Sequence, residues 1–370
     1  MLRRMSDSKA SAKKAYGREA ARGAKKVYGS EDARRIHAEC PALDLHTDSF
    51  LWTRLGGYDV NARHQPPLPA SALFGHVDVP RALDGGLGGA FFGLVALPWL
   101  DRSSSRAIDT TIALIERTAR ESDGKLRIVR SAEELEAARV DGVVAAMMGI
   151  EGAHALEGDI DAIGAFAKRG ARYLGLLHFT SNECGAPMMG WGQDRDKGLT
   201  TFGGDLVAKC EEVGVIVDLA HINERGLLDA CALAKKPMIV SHTGLAGVHE
   251  SWRNISDAQL RAVAETGGVA GVIFCPRYLG RDGIDAVVDH LLHVVDVAGE
   301  DAAALGSDWD GFIVPTRGLD EASKLPLLTD ALLARKVPER VVRKILRENT
   351  LRVVRDVPPR AVHSVAIADG

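Results

Sequence analysis

Residues 215–221 (VIVDLAH) and 238–244 (MIVSHTG) are two β-branched-rich runs of strand length, each reaching a histidine at or near its end. Between them lies a helical stretch, 222–236. Strand–helix–strand order at this spacing is the rhythm of a parallel sheet. In a barrel of such units, chemistry collects at the C-terminal ends of the strands. His221 and His242 would then point into one mouth, and the remaining strands can be tested for the same ending.

Residues 43–48 (LDLHTD) alternate like a first strand and end in His46-x-Asp48. Positions two apart on a strand share a face, about 6.6–6.8 Å apart along it, so both side chains can converge on one ion. A second strand, 90–97, is closed by Pro98, and a third, 142–150, is an apolar run that stops at Glu151. The fourth, 172–177, ends in His178; the seventh is 268–274; the eighth, 302–306, leads into Ser307-Asp308-Trp309-Asp310-Gly311. Helical segments at 107–121, 132–139, 160–168, 202–213, 257–265, 284–298 and 338–355 fill the gaps. Eight such runs, six of them ending in polar groups, predict an α/β chain folded as a (β/α)8 TIM-like barrel with its site at the strand C-termini. A doubly wound open sheet would gather ligands at a single switch point instead.

Composition restricts the function classes. No window approaches the roughly 18 consecutive apolar residues of a membrane span. The five cysteines are scattered without a CxxC pair, which argues against a disulfide framework and a thiolate zinc site and favours the cytoplasm. The net charge of −4 hides an asymmetry: residues 1–35 hold eleven Lys/Arg against four Asp/Glu, and the remainder carries −11. Residues 1–35 read as a basic, solvated extension without a secretory signal, 36–356 as the barrel, and 357–370 as a tail. Neither a nucleic-acid nor a membrane partner is expected.

His46, Asp48, Glu151, His178, His221, His242 and Asp308 all fall at the same expected end of one barrel. Burying so many polar groups without a cation to satisfy them is costly. Nitrogen and oxygen donors without thiolates suit Zn²⁺, with Mn²⁺, Co²⁺ and Fe²⁺ as alternatives. The donor set exceeds what one catalytic zinc takes and fits two metals about 3.5–4 Å apart with a bridging carboxylate. His76-x-Asp78 repeats the His-x-Asp spacing but lies in a loop before the second strand, so it reads as structural. His154 supports the turn after Glu151, Cys275 is a buried thiol, and glycines 85, 86, 88 and 89 match no phosphate-loop spacing. Asp310 competes with Asp308 for the acid/base role.

Several ordered motifs then carry a resemblance: Asp44-Leu45-His46-Thr47-Asp48; His76-Val77-Asp78-Val79-Pro80-Arg81; Ile150-Glu151-Gly152-Ala153-His154; Ser241-His242 through Ser251-Trp252-Arg253-Asn254; and Glu348-Asn349-Thr350-Leu351-Arg352. From about residue 36 to 354 the chain resembles the membrane (renal) dipeptidase family, metal-dependent peptidases with an amidohydrolase-like barrel. The resemblance implies two Zn²⁺: one on His46 and Asp48, the other on His221 and His242, with Glu151 bridging. It also implies His178 near the scissile carbonyl, Arg253 on the substrate carboxylate and Asp308 as catalytic acid/base.

The expected substrates are short peptides, L-Xaa-L-Xaa or L-Xaa-D-Xaa. Another small amide, lactam or ester is the alternative, followed by a non-catalytic barrel with a biosynthetic role. A homodimer is compatible with this reading. Mammalian members are secreted and lipid-anchored, and no such signals are expected here. The loop 179–189 with Trp191 departs from theirs and is expected to shape the side-chain pocket, with Trp52 at the same mouth.

Overall fold

The computed structural model describes residues 26–64 and 72–360. Most of the basic extension, the Pro-rich stretch at 65–69 and the end of the tail with His363 lie outside the described residues. Nine parallel strands form one sheet: β1 (Ala42–Thr47), β2 (Leu87–Val95), β3 (Leu126–Ile128), β4 (Val144–Glu151), β5 (Ala171–Gly175), β6 (Ile216–Asp218), β7 (Ile239–Thr243), β8 (Val269–Val272) and β9 (Ala303–Leu305). β1 pairs with both β2 and β9, and β2 pairs with β4, so eight strands close on themselves. This is the (β/α)8 barrel expected from the strand rhythm. The ninth strand, β3, went unread in the sequence. It pairs only with the start of β4, Leu126 against Val144, outside the ring.

Strand alternation sorts the core into two layers. Phe91, Met147, Ile239 and Val269 belong to one apolar cluster, together with Leu43, Leu45, Tyr173 and Ile216. Their immediate neighbours Phe92, Met148, Val240 and Ala270 belong to a second, larger cluster packed against the helices. Successive side chains on a strand face opposite ways, so the first cluster fills the barrel and the second joins it to its helical coat. Glu151 continues the inward register of Ala145 and Met147 and enters the mouth above the plug.

The helices start where polar caps allow. Asn223 accepts from Gly226 N ahead of Glu224–Leu233, and Ser256 with Gln259 makes a capping box ahead of Asp257–Glu265. Each such cap contributes about 1 kcal/mol. The segment expected as one helix at 338–355 is broken: Lys344–Glu348 forms a π-helical turn between Glu339–Arg343 and Asn349–Asp356. Arg347, within that turn, is buried and reaches the Pro41 and Leu135 carbonyls and the Glu136 carboxylate. Among the described residues no helix is long and apolar enough to cross a membrane.

Candidate metal centre and active site

The strand ends bring the expected donors together. The Nε2 atoms of His221, just after β6, and His242, in β7, lie 3.0 Å apart, and the His221 Nε2 is also 3.0 Å from Glu151 Oε1. His46 Nε2 lies 3.3 Å from Asp48 Oδ1, 3.8 Å from Glu151 Oε1 and 3.9 Å from Asp308 Oδ1. His178 Nε2 is 3.6 Å and His242 Nε2 3.7 Å from the same Glu151 oxygen, which makes Glu151 the centre of the set. Three overlapping groups can each hold an ion: His46, Asp48 and Glu151; Glu151, His178 and His221; His46, His242 and Asp308.

Several features fit a cation here. Among the described residues, His46 Nε2 and Asp48 Oδ1 are buried without a hydrogen-bond partner. A methyl group on Gly93 of β2 would overlap the Asp48 carboxylate, and one on Gly311 would overlap that of Asp308. Both glycines therefore leave room for the acids. Two of the rings are held through their other nitrogen: Tyr173 Oη is 2.6 Å from His46 Nδ1, and Ser241 Oγ is 2.9 Å from His242 Nδ1. Ser241 Oγ in turn donates to Asp218 Oδ2 at 2.7 Å. Its lone pair therefore receives the His242 Nδ1–H, and Nε2 presents a lone pair to the mouth. Tyr173 fits inside the barrel because Gly149, beside it on β4, has no side chain to meet its ring.

The electrostatics also favour added positive charge. Burial, then the Asp48 carboxylate, holds Glu151 well above the usual carboxylate range. Burial pushes Asp308 up to about 8 against the pull of His46. Burial alone would lower His46, but Asp48, Glu151 and Asp308 outweigh it and push the ring up to about 10. A proton held so tightly among three acids marks a position that a divalent cation can take instead. His178, His221 and His242 are held well below their ordinary value by burial and stay neutral, as ligands or hydrogen-bond donors must.

Asp308 follows β9 with a left-handed backbone, as do Asp310 and Phe312 (φ 59°, 68° and 58°). Non-glycine residues adopt this region at a cost of about 1–3 kcal/mol each unless held there. Asp310 supplies the hold. Its carboxylate accepts from Gly75 N at 2.7 Å, His76 N at 2.8 Å and the Ser49 hydroxyl, and its own N–H donates to His76 Nδ1. The two aspartates thus separate: Asp308 faces the cavity while Asp310 anchors the loop. His76 belongs to that anchor, and Asp78 caps the helix Val79–Asp84 and pairs with Arg81 at 2.6 Å. His154 Nε2 donates to the Ala96 carbonyl, and burial pushes the Cys275 thiol up to about 11. Glycines 85 and 88 are packed against Ala322 and Pro41 at the opposite end of the barrel from the site.

Trp52 is a correction to the expected lining of the mouth. Its indole N–H donates to the Asp310 carbonyl at 2.6 Å and its ring stacks on Phe74 at 4.2 Å, so it braces the Asp310 loop from behind. Arg253 does reach the cavity, and it is 2 % exposed. One guanidinium nitrogen donates to the His242 carbonyl at 2.7 Å, and among the described residues no carboxylate lies within ion-pairing distance of it. The cavity that Arg253, Asp308, His178 and Glu151 share has a volume of about 410 Å³, within the range of small-molecule sites. Tyr173, Ser241, Asp218, Gly93 and Asp310 were not assigned supporting roles from sequence. For Asp218 the available signal was a carboxylate inside an otherwise apolar run.

Known proteins repeat this arrangement of strands. The family model for membrane dipeptidase, peptidase family M19, matches residues 30–364. A metallopeptidase from Rhodobacter sphaeroides, solved with a phosphinate mimic of the dipeptide L-Ala-D-Ala, superposes with a TM-score of 0.75 at 28 % identity, over 86 % of this chain and 99 % of that one. A dipeptidase AC, a metallopeptidase of family M19, gives 0.74 at 29 % identity over 86 % and 98 %. An amidohydrolase from Pseudomonas aeruginosa gives 0.73 at 26 % identity over 88 % and 98 %. A match that starts just ahead of the first described helix and runs past the last leaves no part of the barrel unaccounted for: the chain belongs to the membrane dipeptidase family and is a metallo-dipeptidase.

Proposed function

We propose that this protein hydrolyses the peptide bond of short peptides, L-Xaa-L-Xaa or L-Xaa-D-Xaa, with two divalent ions, Zn²⁺ first among them, at the mouth of the barrel. His46 and Asp48 would hold one ion and His221 and His242 the other, with Glu151 between them. When bound, the pair would supply an activated water and polarise the scissile carbonyl. The central place of Glu151 Oε1, 3.0 Å from His221 Nε2 and 3.8 Å from His46 Nε2, supports the bridging assignment.

The observation that carries the substrate class is Arg253, a buried guanidinium open to the cavity and lacking an acidic partner among the described residues. A terminal carboxylate suits its planar fork through two parallel hydrogen bonds. With the carboxylate there, the scissile carbonyl comes to lie over Glu151 and His178. The neutral His178 imidazole can donate Nε2–H to the oxygen as negative charge develops on it. Asp308 takes the proton of the attacking water and passes it to the leaving amine. The dipeptide mimic held by the Rhodobacter sphaeroides protein contains a D-residue on its C-terminal side, which supports D-tolerance here.

The test is a library of L,L and L,D dipeptides on zinc-reconstituted protein, with Glu151→Gln alongside. Dipeptide turnover that disappears with extensive chelation and in the variant is expected. Turnover of lactams, esters or N-acyl amino acids with none of dipeptides would overturn the substrate, and full activity of the variant would overturn the metal assignment.

A further inference from the structure

We propose that the amino-terminal residue of the substrate is selected by an apolar pocket walled by Leu51, Val95, Leu97 and Trp99, with Trp191 packed edge to face against Trp99. The inference rests on the dipeptidase reading and adds to it the class of side chain accepted. Leu51, Val95 and Leu97 form a small apolar cluster of their own, separate from both layers of the core. All three line the catalytic cavity together with Trp99 and Asp48. Buried apolar residues that face a cavity rather than the core are available to cover a ligand's apolar group.

Their position relative to the ends of the substrate decides which residue they meet. Arg253 donates to the His242 carbonyl and lies 3.5 Å from His221 Nε2, on the His221 side of Glu151. The apolar cluster adjoins Asp48, on the His46 side. A dipeptide with its carboxylate on Arg253 and its carbonyl over Glu151 therefore turns its amino-terminal side chain towards Leu51, Val95 and Leu97.

Trp99 completes the wall, and Trp191 backs it. They are 54 % and 68 % exposed, unusual for side chains of this size, and they meet edge to face with ring centres 5.9 Å apart. They come from separate connections, after β2 and after β5, and each connection is built to hold its ring. Asp101, just past Trp99, forms an ion pair with Arg54 at 2.6 Å and accepts from Leu97 N at 2.8 Å, while Arg54 also donates to the Val95 carbonyl. Trp191 is pinned by two backbone bonds, its N–H to the Phe179 carbonyl at 2.9 Å and its carbonyl from Ser181 N at 2.8 Å. Gly190 permits this closure, because a side chain there would collide with the Phe179 carbonyl. A wall of aromatic and branched aliphatic groups favours leucine or phenylalanine at the amino-terminal position over glycine or aspartate, which bring little apolar surface or an unpaired charge.

The experiment is steady-state kinetics of the zinc-loaded full chain on Xaa-D-Ala and Xaa-L-Ala dipeptides, with Xaa as Gly, Ala, Leu, Phe or Asp. The expected kcat/KM rises from Gly to Leu and Phe by about tenfold or more and is lowest for Asp. In Trp99→Ala the Phe-to-Ala ratio of kcat/KM should fall about tenfold, chiefly through KM, and Trp99→Phe should restore most of it. Trp191→Ala should move the ratio the same way by a smaller factor, since it acts through Trp99. If Ala dipeptides are cleaved but the ratio is flat, or is unchanged by Trp99→Ala, the pocket assignment fails and the dipeptidase reading stands. If no dipeptide is cleaved, the dipeptidase reading fails and takes this inference with it.

Discussion

A histidine that offers Nε2 to a cation works best when Nδ1 is already committed as a hydrogen-bond donor, which fixes the ring and its tautomer. Two residues of this barrel do that for the donors of the mouth. Tyr173 Oη meets His46 Nδ1 at 2.6 Å, and Ser241, tied to Asp218, meets His242 Nδ1. The tyrosine is wholly buried in the barrel plug, so its hydroxyl must find a partner there, and burial raises its own pKa well above the ordinary value. Tyr173→Phe keeps the packing and removes only the oxygen. It should weaken zinc binding by about 10-fold or more, read by competition with a chromophoric chelator. An unchanged zinc affinity would show that the hydroxyl only fills space.

At the scale of elements, the helix Ile284–Ala298 is joined to the connection after β7 through His290. Its Nδ1 accepts the Leu245 N–H at 2.9 Å, and Nε2 faces the Leu279 carbonyl at 3.4 Å. That pattern requires the neutral ring, and burial pushes its pKa down to about 4. His37, between Gly86 and Thr329, is also pushed down to about 4 by burial. The unfolded chain binds a proton on each of these rings below about pH 6.5, whereas the fold resists until about 4. Their contribution is therefore complete above pH 6.5 and is lost as the pH falls towards 4. At pH 5 the loss is on the order of 2 kcal/mol for each ring. Urea unfolding at pH 7 and pH 5 should show this drop, and His290→Asn, which retains an acceptor for Leu245 N, should remove about half of it. An identical drop in the variant would assign the acid sensitivity elsewhere.

Over the whole molecule, what could be read from the chain follows from how local each signal is. The barrel and the convergence of His46, Asp48, Glu151, His221 and His242 at its mouth were legible because strand runs are local and their polar ends recur. β3 was not, since a three-residue strand has too few positions to show a period. Asp308 and Asp310 share a spacing, and only the distant Ser49, Gly75 and His76 separate their roles. Trp52 sits near the first strand end in sequence, yet its N–H points at a carbonyl 258 residues away.

The same long-range character makes the proposed ions part of the fold. Their donors come from β1 and the residue after it, β4, β7 and the connection after β6, so two cations would tie together strands around the ring, whereas the unfolded chain offers no such cluster. A ligand that binds only the folded state stabilises it by about 2.7 kcal/mol when present at 100 times its dissociation constant. For a chain of 370 residues that corresponds to a rise in melting temperature on the order of 3–4 °C per ion. Exhaustive chelation should lower the melting temperature by at least that much, zinc should restore it, and Glu151→Gln should blunt the restoration. Superimposable melts with and without zinc would mean that these strand-end donors are held by the protein alone.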